Sequence, residues 1–322
     1  MRLQICKVLT VLSAMLVSEQ SVAVGEEIQL IDGVQLVFAS RSQGQELVRE
    51  EDTFIEKMQD LERQIRLESK ETVTKSEYLD YLANCVEEWT AKDRLVIEES
   101  AKRLRNKMEK FNLPFPKKIY LVRVASNVEA NAPHCRGASI ILPDGFFESG
   151  QVDTVLTHEL FHVLSSHNRE LRDKMYSIIG FTRCGEIKLP ASLIDRRLTN
   201  PDAPTHEHYI SLKIAGRSGK YIPVTFTKTG TYQGGNLFQN LDFQLMELEA
   251  SENSIKPKIN DGQPVLVSPR DAPDFMRQIG RNTGYIIHPE ETLADNFWMM
   301  VLESSAIRDR WVTEKLSELL KK

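Results

Sequence analysis

Scarcity sets the first limits on this 322-residue chain. There are four cysteines, Cys6, Cys85, Cys135 and Cys184; removal of an N-terminal leader would leave three, an odd set that cannot form a complete disulfide framework. Either Cys135 and Cys184, which bracket one segment, pair in an oxidising compartment, or they are buried thiols acting as small hydrophobes. Positive charge is not in excess: 41 Lys and Arg stand against 46 Asp and Glu, a formal net charge of −5. Without the basic stripe that a phosphate backbone requires, nucleic acid is not an expected partner. Past the first residues there is no apolar run long enough to cross a bilayer, so no stable membrane insertion is expected once a leader is removed. Also missing are a GxSxG elbow, a GxGxxG loop, a complete P-loop and a CxxC pair, the signatures of several hydrolase, nucleotide and redox chemistries.

What is present begins with a leader. Residues 1–24 set Arg2 and Lys7 ahead of or within reach of an apolar run from Val8 to Val17, with small residues near Ala23. This is the pattern of a secretory signal peptide and predicts a secreted or periplasmic protein. Residues 25–115 read as a hairpin and helical region. "EIQLIDGVQLVFAS" holds two β-prone runs joined by Asp32-Gly33, a tight-turn dipeptide. From Glu46 to Phe111, apolar residues at helical spacing (Phe54, Met58, Leu61, Ile65; then Tyr78, Tyr81, Leu82, Val86, Trp89) predict two or three amphipathic helices, stopped before Pro114 and Pro116.

Residues 116–322 form the second region. Strands are predicted at "KKIYLVRVAS" and "RGASIILP", a helix from Val152 to Ser166, and another ending at Gly180. Between Phe181 and Gly284 lie a strand at "YIPVTFT" and a helix at "LFQNLDFQLMELE". A helix opens at Pro289, tolerated in a first turn because its missing N–H would have no partner there, and another closes the chain. The fold class expected is α+β.

Within the Val152–Ser166 helix stands "THELFHVLSSHN". His158 and His162, four apart, lie on one face and can aim both imidazoles at a single point; zinc bonds of about 2.0–2.1 Å to nitrogen suit that gap. Glu159 is turned by about 100° from His158, which lets its carboxylate reach a metal-bound water without ligating the metal. The pattern arises by chance in about one chain in a hundred of this length, so context decides. The flanks Val155, Leu156, Leu160, Phe161, Val163 and Leu164 would bury these polar groups, and unpartnered burial costs several kcal/mol. A metal ion answers that cost.

A catalytic zinc needs a third protein ligand. The metzincin continuation is not met, since Ser165 stands at its glycine position and Asn168 at its histidine position, with His167 one residue off. "HPEETLADNFW" offers Glu291 and Asp295, four apart on one helical face: one carboxylate to bind zinc, the other to accept the spare N–H of a ligand histidine. Glu290 is a poorer ligand, its i+4 partner being Ala294. Glu291 can also be read as an acid suiting a helix N-terminus. His206 and His208, two apart on a possible strand, are alternatives, and Glu186 a weaker one.

Together, His158, Glu159, His162, Glu291 and Asp295 resemble the HExxH…ExxxD arrangement of gluzincin zinc metallopeptidases, distantly like the thermolysin-like enzymes. The resemblance implies a zincin-like catalytic domain over residues 116–322: a small mixed sheet with an edge strand over the HExxH helix, and a helical C-terminal part. "RGASIILPDG" matches that edge strand in placement. It further implies Zn2+ held by His158, His162 and Glu291, a second carboxylate at Asp295, and hydrolysis of peptide bonds in a peptide or protein substrate by a zinc-activated water with Glu159 as general base. Tyr285 and His288 are candidate donors to the oxyanion, with Tyr209 and Tyr232 as others; thermolysin-like enzymes use a later histidine, and none follows His288. A departure is the spacing of 129 residues (291 − 162) between His162 and Glu291, which calls for a long insertion. Two other readings stay open: a non-catalytic binding protein on a zincin scaffold, and a zinc hydrolase of a non-peptide bond such as a cell-wall amide.

Overall fold

The computed structural model describes residues 26–125, 127–251 and 254–322; the leader expected over residues 1–24 lies outside them. The described residues open with a hairpin, β1 (Glu27–Ile31) and β2 (Val34–Phe38), turned at Gly33 with φ +72°, a conformation that costs glycine little. Five helices follow: α1 (Arg41–Val48), α2 (Thr53–Lys57), α3 (Asp60–Arg66), α4 (Lys75–Asn84) and α5 (Ala91–Met108). This is more than the two or three expected. The helical apolar spacing ran straight through breaks made without Gly or Pro. Met58 leaves the helix in extended backbone, and Ser40, Asp52, Thr74 and Thr90 restart the chain as side-chain N-caps. Val86 and Trp89, spaced as if helical, lie beyond α4; both are buried.

Strand β3 (Lys118–Val124), β4 (His134–Arg136) and β5 (Ser139–Pro143) complete the first sheet, in the order β1-β2-β3-β5-β4. Strands β2, β3 and β5 run parallel, and β1 and β4 are antiparallel edges. The segment "RGASIILPDG" is therefore not the edge: β5 is paired on both sides, and the short β4 takes the rim. Its unbroken burial fits a central strand. One turn, α6 (Gly145–Glu148), leads to α7 (Val152–His167) and α8 (Arg169–Ile178).

A second, antiparallel sheet is built from β6 (Phe181–Arg183), β7 (His208–Ile214), β8 (Arg217–Thr227), β9 (Leu241–Ser251) and β10 (Ser254–Pro257), with the short helices α9 (Ala191–Ile194) and α10 (Leu237–Asn240) in its connections. The helix expected at "LFQNLDFQLMELE" is only the single turn α10; Leu241 onward is β9, paired with β8 from Thr227↔Leu241 to Lys220↔Leu248. Leucines four apart served either structure, and cross-strand pairing decided. β11 (Ile259–Asn260) and β12 (Gln263–Pro264) form a ribbon, β13 (Leu266–Val267) adds to β9, and α11 (Pro273–Ile279), α12 (Pro289–Val301) and α13 (Arg310–Leu319) finish the chain. The protein is thus mixed α+β with several sheets. One core runs from Leu30 and Leu36 through Leu104 and Leu121 to Leu160, Phe161, Phe297 and Leu316, so residues 26–115 and 116–322 share both a sheet and a core.

Candidate metal centre

Helices α7 and α12 pack against each other at the centre of that core. Apolar residues surround α7 on nearly every side: Leu156, Leu160, Phe161, Val163 and Leu164 are all fully buried. His162 and Glu159, carried along, are 1% and 3% exposed. α12 begins at Pro289, and His288 caps it, its Nδ1 accepting the Glu290 amide at 3.1 Å. The first turn of α12 thereby delivers Glu290 and Glu291 to the middle of α7.

Glu291 Oε2 lies 3.2 Å from His158 Nε2 and 3.5 Å from His162 Nε2. The far nitrogens are tied to carboxylates: His158 Nδ1 to Asp295 Oδ1 at 3.0 Å, and His162 Nδ1 to Glu290 Oε1 at 3.0 Å. Those carboxylates are held in turn. Asp295 accepts from Thr283 and from Trp298 Nε1, while Glu290 accepts from Ser165 and Tyr176. If each ring donates its Nδ1–H to its carboxylate, two Nε2 lone pairs and an anionic oxygen face one another, a donor set that a cation would satisfy. His162 Nε2 is buried and without a hydrogen-bond partner.

Edges of a tetrahedron with zinc–ligand bonds near 2.0–2.1 Å are about 3.3 Å long, and the two observed separations fall on either side of that. The three side chains thus fit a metal ion, and their donor atoms lie within 4.8 Å of one another. Burial favours a neutral His158, but hydrogen bonds to Asp295 and Glu291 outweigh it and push the ring up to about 10. Burial would raise Glu291, but the charge of His162 and the hydrogen bond from His158 hold it well below the usual carboxylate range. The surroundings favour positive charge at this point.

Beside this trio sits a second group. Cys135 Sγ of β4 lies 3.3 Å from Glu159 Oε2 and 3.2 Å from the Glu159 carbonyl oxygen, and the Cys135 amide donates to Asp202 Oδ1 at 2.6 Å. Burial pushes the Glu159 carboxyl up, and burial with the charges of Glu159 and Glu291 pushes Asp202 well up. Asn200 donates to Glu291 Oε1. The loop bearing Asn200 and Asp202 is fastened at Thr199: its amide and hydroxyl donate to Glu62 of α3 at 2.6 and 2.9 Å, and its carbonyl accepts from Arg66. Arg66 also pairs with Glu62 and Glu129, all of them buried.

Of the other residues singled out in the sequence, Tyr285 is half-exposed at the mouth of the centre, its ring stacked on His158 with centroids 6.2 Å apart. His288 lies on the His162 side, and burial lowers it to about 3, leaving it neutral. The remainder are elsewhere. His208 Nε2 meets Asp173 at 2.7 Å, Glu186 pairs with Lys57, Tyr209 lies under Lys220, and Tyr232 donates to the Gly235 carbonyl. His206 is outside the ligand cluster. Cys135 and Cys184 are free, so the disulfide alternative is not realised.

Glu290 stands outside the ligand group, as its poorer placement as a ligand implied, but its role in holding His162, with partners on α7 and α8, has no local signal; Asp202, Asn200 and Cys135 were not read as parts of the centre. Asp202 has no local pattern at all; only the long-range fastening of Thr199 brings it in. No protein family, curated protein or solved structure matches the chain.

Proposed function

We propose that the protein is a zinc-dependent metallopeptidase of gluzincin type, with a zincin-like arrangement in which the rim strand β4 flanks the HExxH helix α7. The observation that carries this reading is the convergence of His158 Nε2, His162 Nε2 and Glu291 Oε2, with both opposite ring nitrogens on carboxylates and His162 Nε2 otherwise unpartnered. A zinc ion held by these three would supply Lewis acidity at a substrate carbonyl and an acidified water. Glu159 takes the proton of the attacking water on its carboxylate and hands it to the leaving amine, a role suited to a carboxyl that burial raises above its ordinary range. Tyr285, stacked on His158 and reachable from solvent, is the donor to the developing oxyanion. Asp295 and Glu290 keep the two imidazoles turned with Nε2 inward. Peptide or protein is the substrate, met outside the cytoplasm if the leader acts as its sequence suggests.

One observation favours the second reading, a metal-keeping protein without catalysis: Cys135 and Asp202 crowd the Glu159 carboxylate. The variant Glu159→Gln separates the two. Wild type is expected to hold about one zinc per chain and to cleave casein or a broad peptide library, Glu291→Ala to lose the metal, and Glu159→Gln to keep it while hydrolysis stops. Zinc-loaded wild type that cleaves nothing favours the binding protein, and hydrolysis by Glu159→Gln would falsify the role of Glu159.

A further inference from the structure

A cavity of about 480 Å3 opens beside His162, walled by β4 at Cys135 and Arg136, the Pro201–Thr205 loop, the first turn of α8 and the start of β7. Three arginines and three acids line it: Arg136, Arg169 and Arg172 against Asp52, Asp202 and Glu207. Their pairing is uneven. Arg136 is used up, its Nε on Asp52 and its two Nη atoms on the carbonyls of Val48 and Glu50. Asp202 turns to the Cys135 amide beside the metal centre. That leaves two guanidiniums for one acid, Arg169 Nη2 reaching Glu207 Oε1 at 2.6 Å and Arg172 Nη2 reaching Oε2 at 3.1 Å.

A guanidinium has five N–H donors. Arg172 spends one on Glu207, and its Nε is buried with no hydrogen-bond partner. Nearby acceptors are taken: Asp173 meets His208 and Arg183, and Glu290 meets His162, Ser165 and Tyr176. We infer that this cavity receives a carboxylate of the substrate, bound by Arg172 with Arg169 beside it, next to the bond presented at His158, His162 and Glu291. Arg169 and Arg172 share the one carboxylate of Glu207 between them, and the planar fork of a guanidinium suits a carboxylate's two oxygens. The word substrate rests on the peptidase reading; the anion site does not. The carboxylate is either an Asp or Glu side chain or a peptide's own C-terminus.

The test is calorimetric titration of the full chain with three blocked probes: N-acetylglutamate α-amide for a side-chain carboxylate, N-acetylglycine for a terminal one, and N-acetylglutamine amide as the neutral control. One carboxylate probe is expected to bind at least about tenfold tighter than the control, as charged hydrogen bonds of this kind allow, and which one it is identifies the source. Repeating the titration after chelator treatment should preserve the preference, since the arginines rather than a metal hold the anion. Arg172→Gln should abolish the preference and Arg172→Lys should restore part of it. If Arg172→Gln does not fold, the exposed Arg169→Gln should weaken the preference severalfold. Equal binding of charged and neutral probes, a preference lost with the chelator, a preference unchanged in a folded arginine variant, or tighter binding of inorganic phosphate would each overturn the inference. Failure of the peptidase reading looks different: no zinc and no hydrolysis, with the arginine-dependent preference intact.

Discussion

Glu290 does as much to shape the centre as any residue of the motif. It holds His162 Nδ1 and is itself held by Ser165 and Tyr176, so the ring has one orientation available. Removing the carboxylate leaves a buried ring nitrogen and two buried hydroxyls searching for partners. Glu290→Ala is expected to lower zinc affinity by about 10–100-fold, measured by competition with a chelating dye; affinity within twofold of wild type would show that Glu290 does not orient His162. Residues of the centre that repeat at helical spacing, His158 with His162 and Glu291 with Asp295, were legible from the chain alone because within each pair a single helix sets the spacing. Glu290, Asn200, Asp202 and Cys135 depend on which elements meet, which no local pattern encodes.

At the scale of elements, α7 is unusual in being apolar almost all round, the mark of a helix buried on every side. The flanks of HExxH made this readable, as did Pro289 for the start of α12. Leu160, fully buried between His158 and His162 in the sequence, ties the helix to the core. Leu160→Ala should cost about 2–5 kcal/mol, seen as a lower urea midpoint at unchanged slope, and a loss below about 0.5 kcal/mol would mean that α7 does not bear on the core as described. Less readable were β9 and the five N-terminal helices. Leucine spacing in β9 satisfied two periodicities, and the breaks between α1 and α5 are made by capping hydroxyls and carboxylates that look like ordinary polar surface.

For the molecule as a whole, acid should be more damaging than the count of charges implies. Burial lowers His134 to about 3, with only its backbone hydrogen bond to Ala132 opposing, and lowers His288 to about 3 as well. Both rings are neutral in the folded chain but bind a proton near pH 6.5 when unfolded. The unfolded state therefore holds more protons between about pH 6.5 and 3, and stability falls through that window as pH drops, by up to about 1.4 kcal/mol per pH unit for each ring. The raised Glu159 and Asp202 carboxyls oppose this trend, so the His134 share is read by difference: in urea at pH 7, 6 and 5, His134→Asn should lose less stability on acidification than wild type, and an unchanged slope would remove His134 as a cause.

The clasp at Thr199 bears on how the protein can be regulated. Glu62 and Arg66, on a helix far ahead of the motif, grip the residue next to Asn200, which touches the proposed ligand Glu291, and β1 and β2 supply two strands of the sheet that carries Cys135. Losing α3 would remove the grip on Thr199. A switch for the proposed chemistry that removed the amino-terminal half would take these contacts with it.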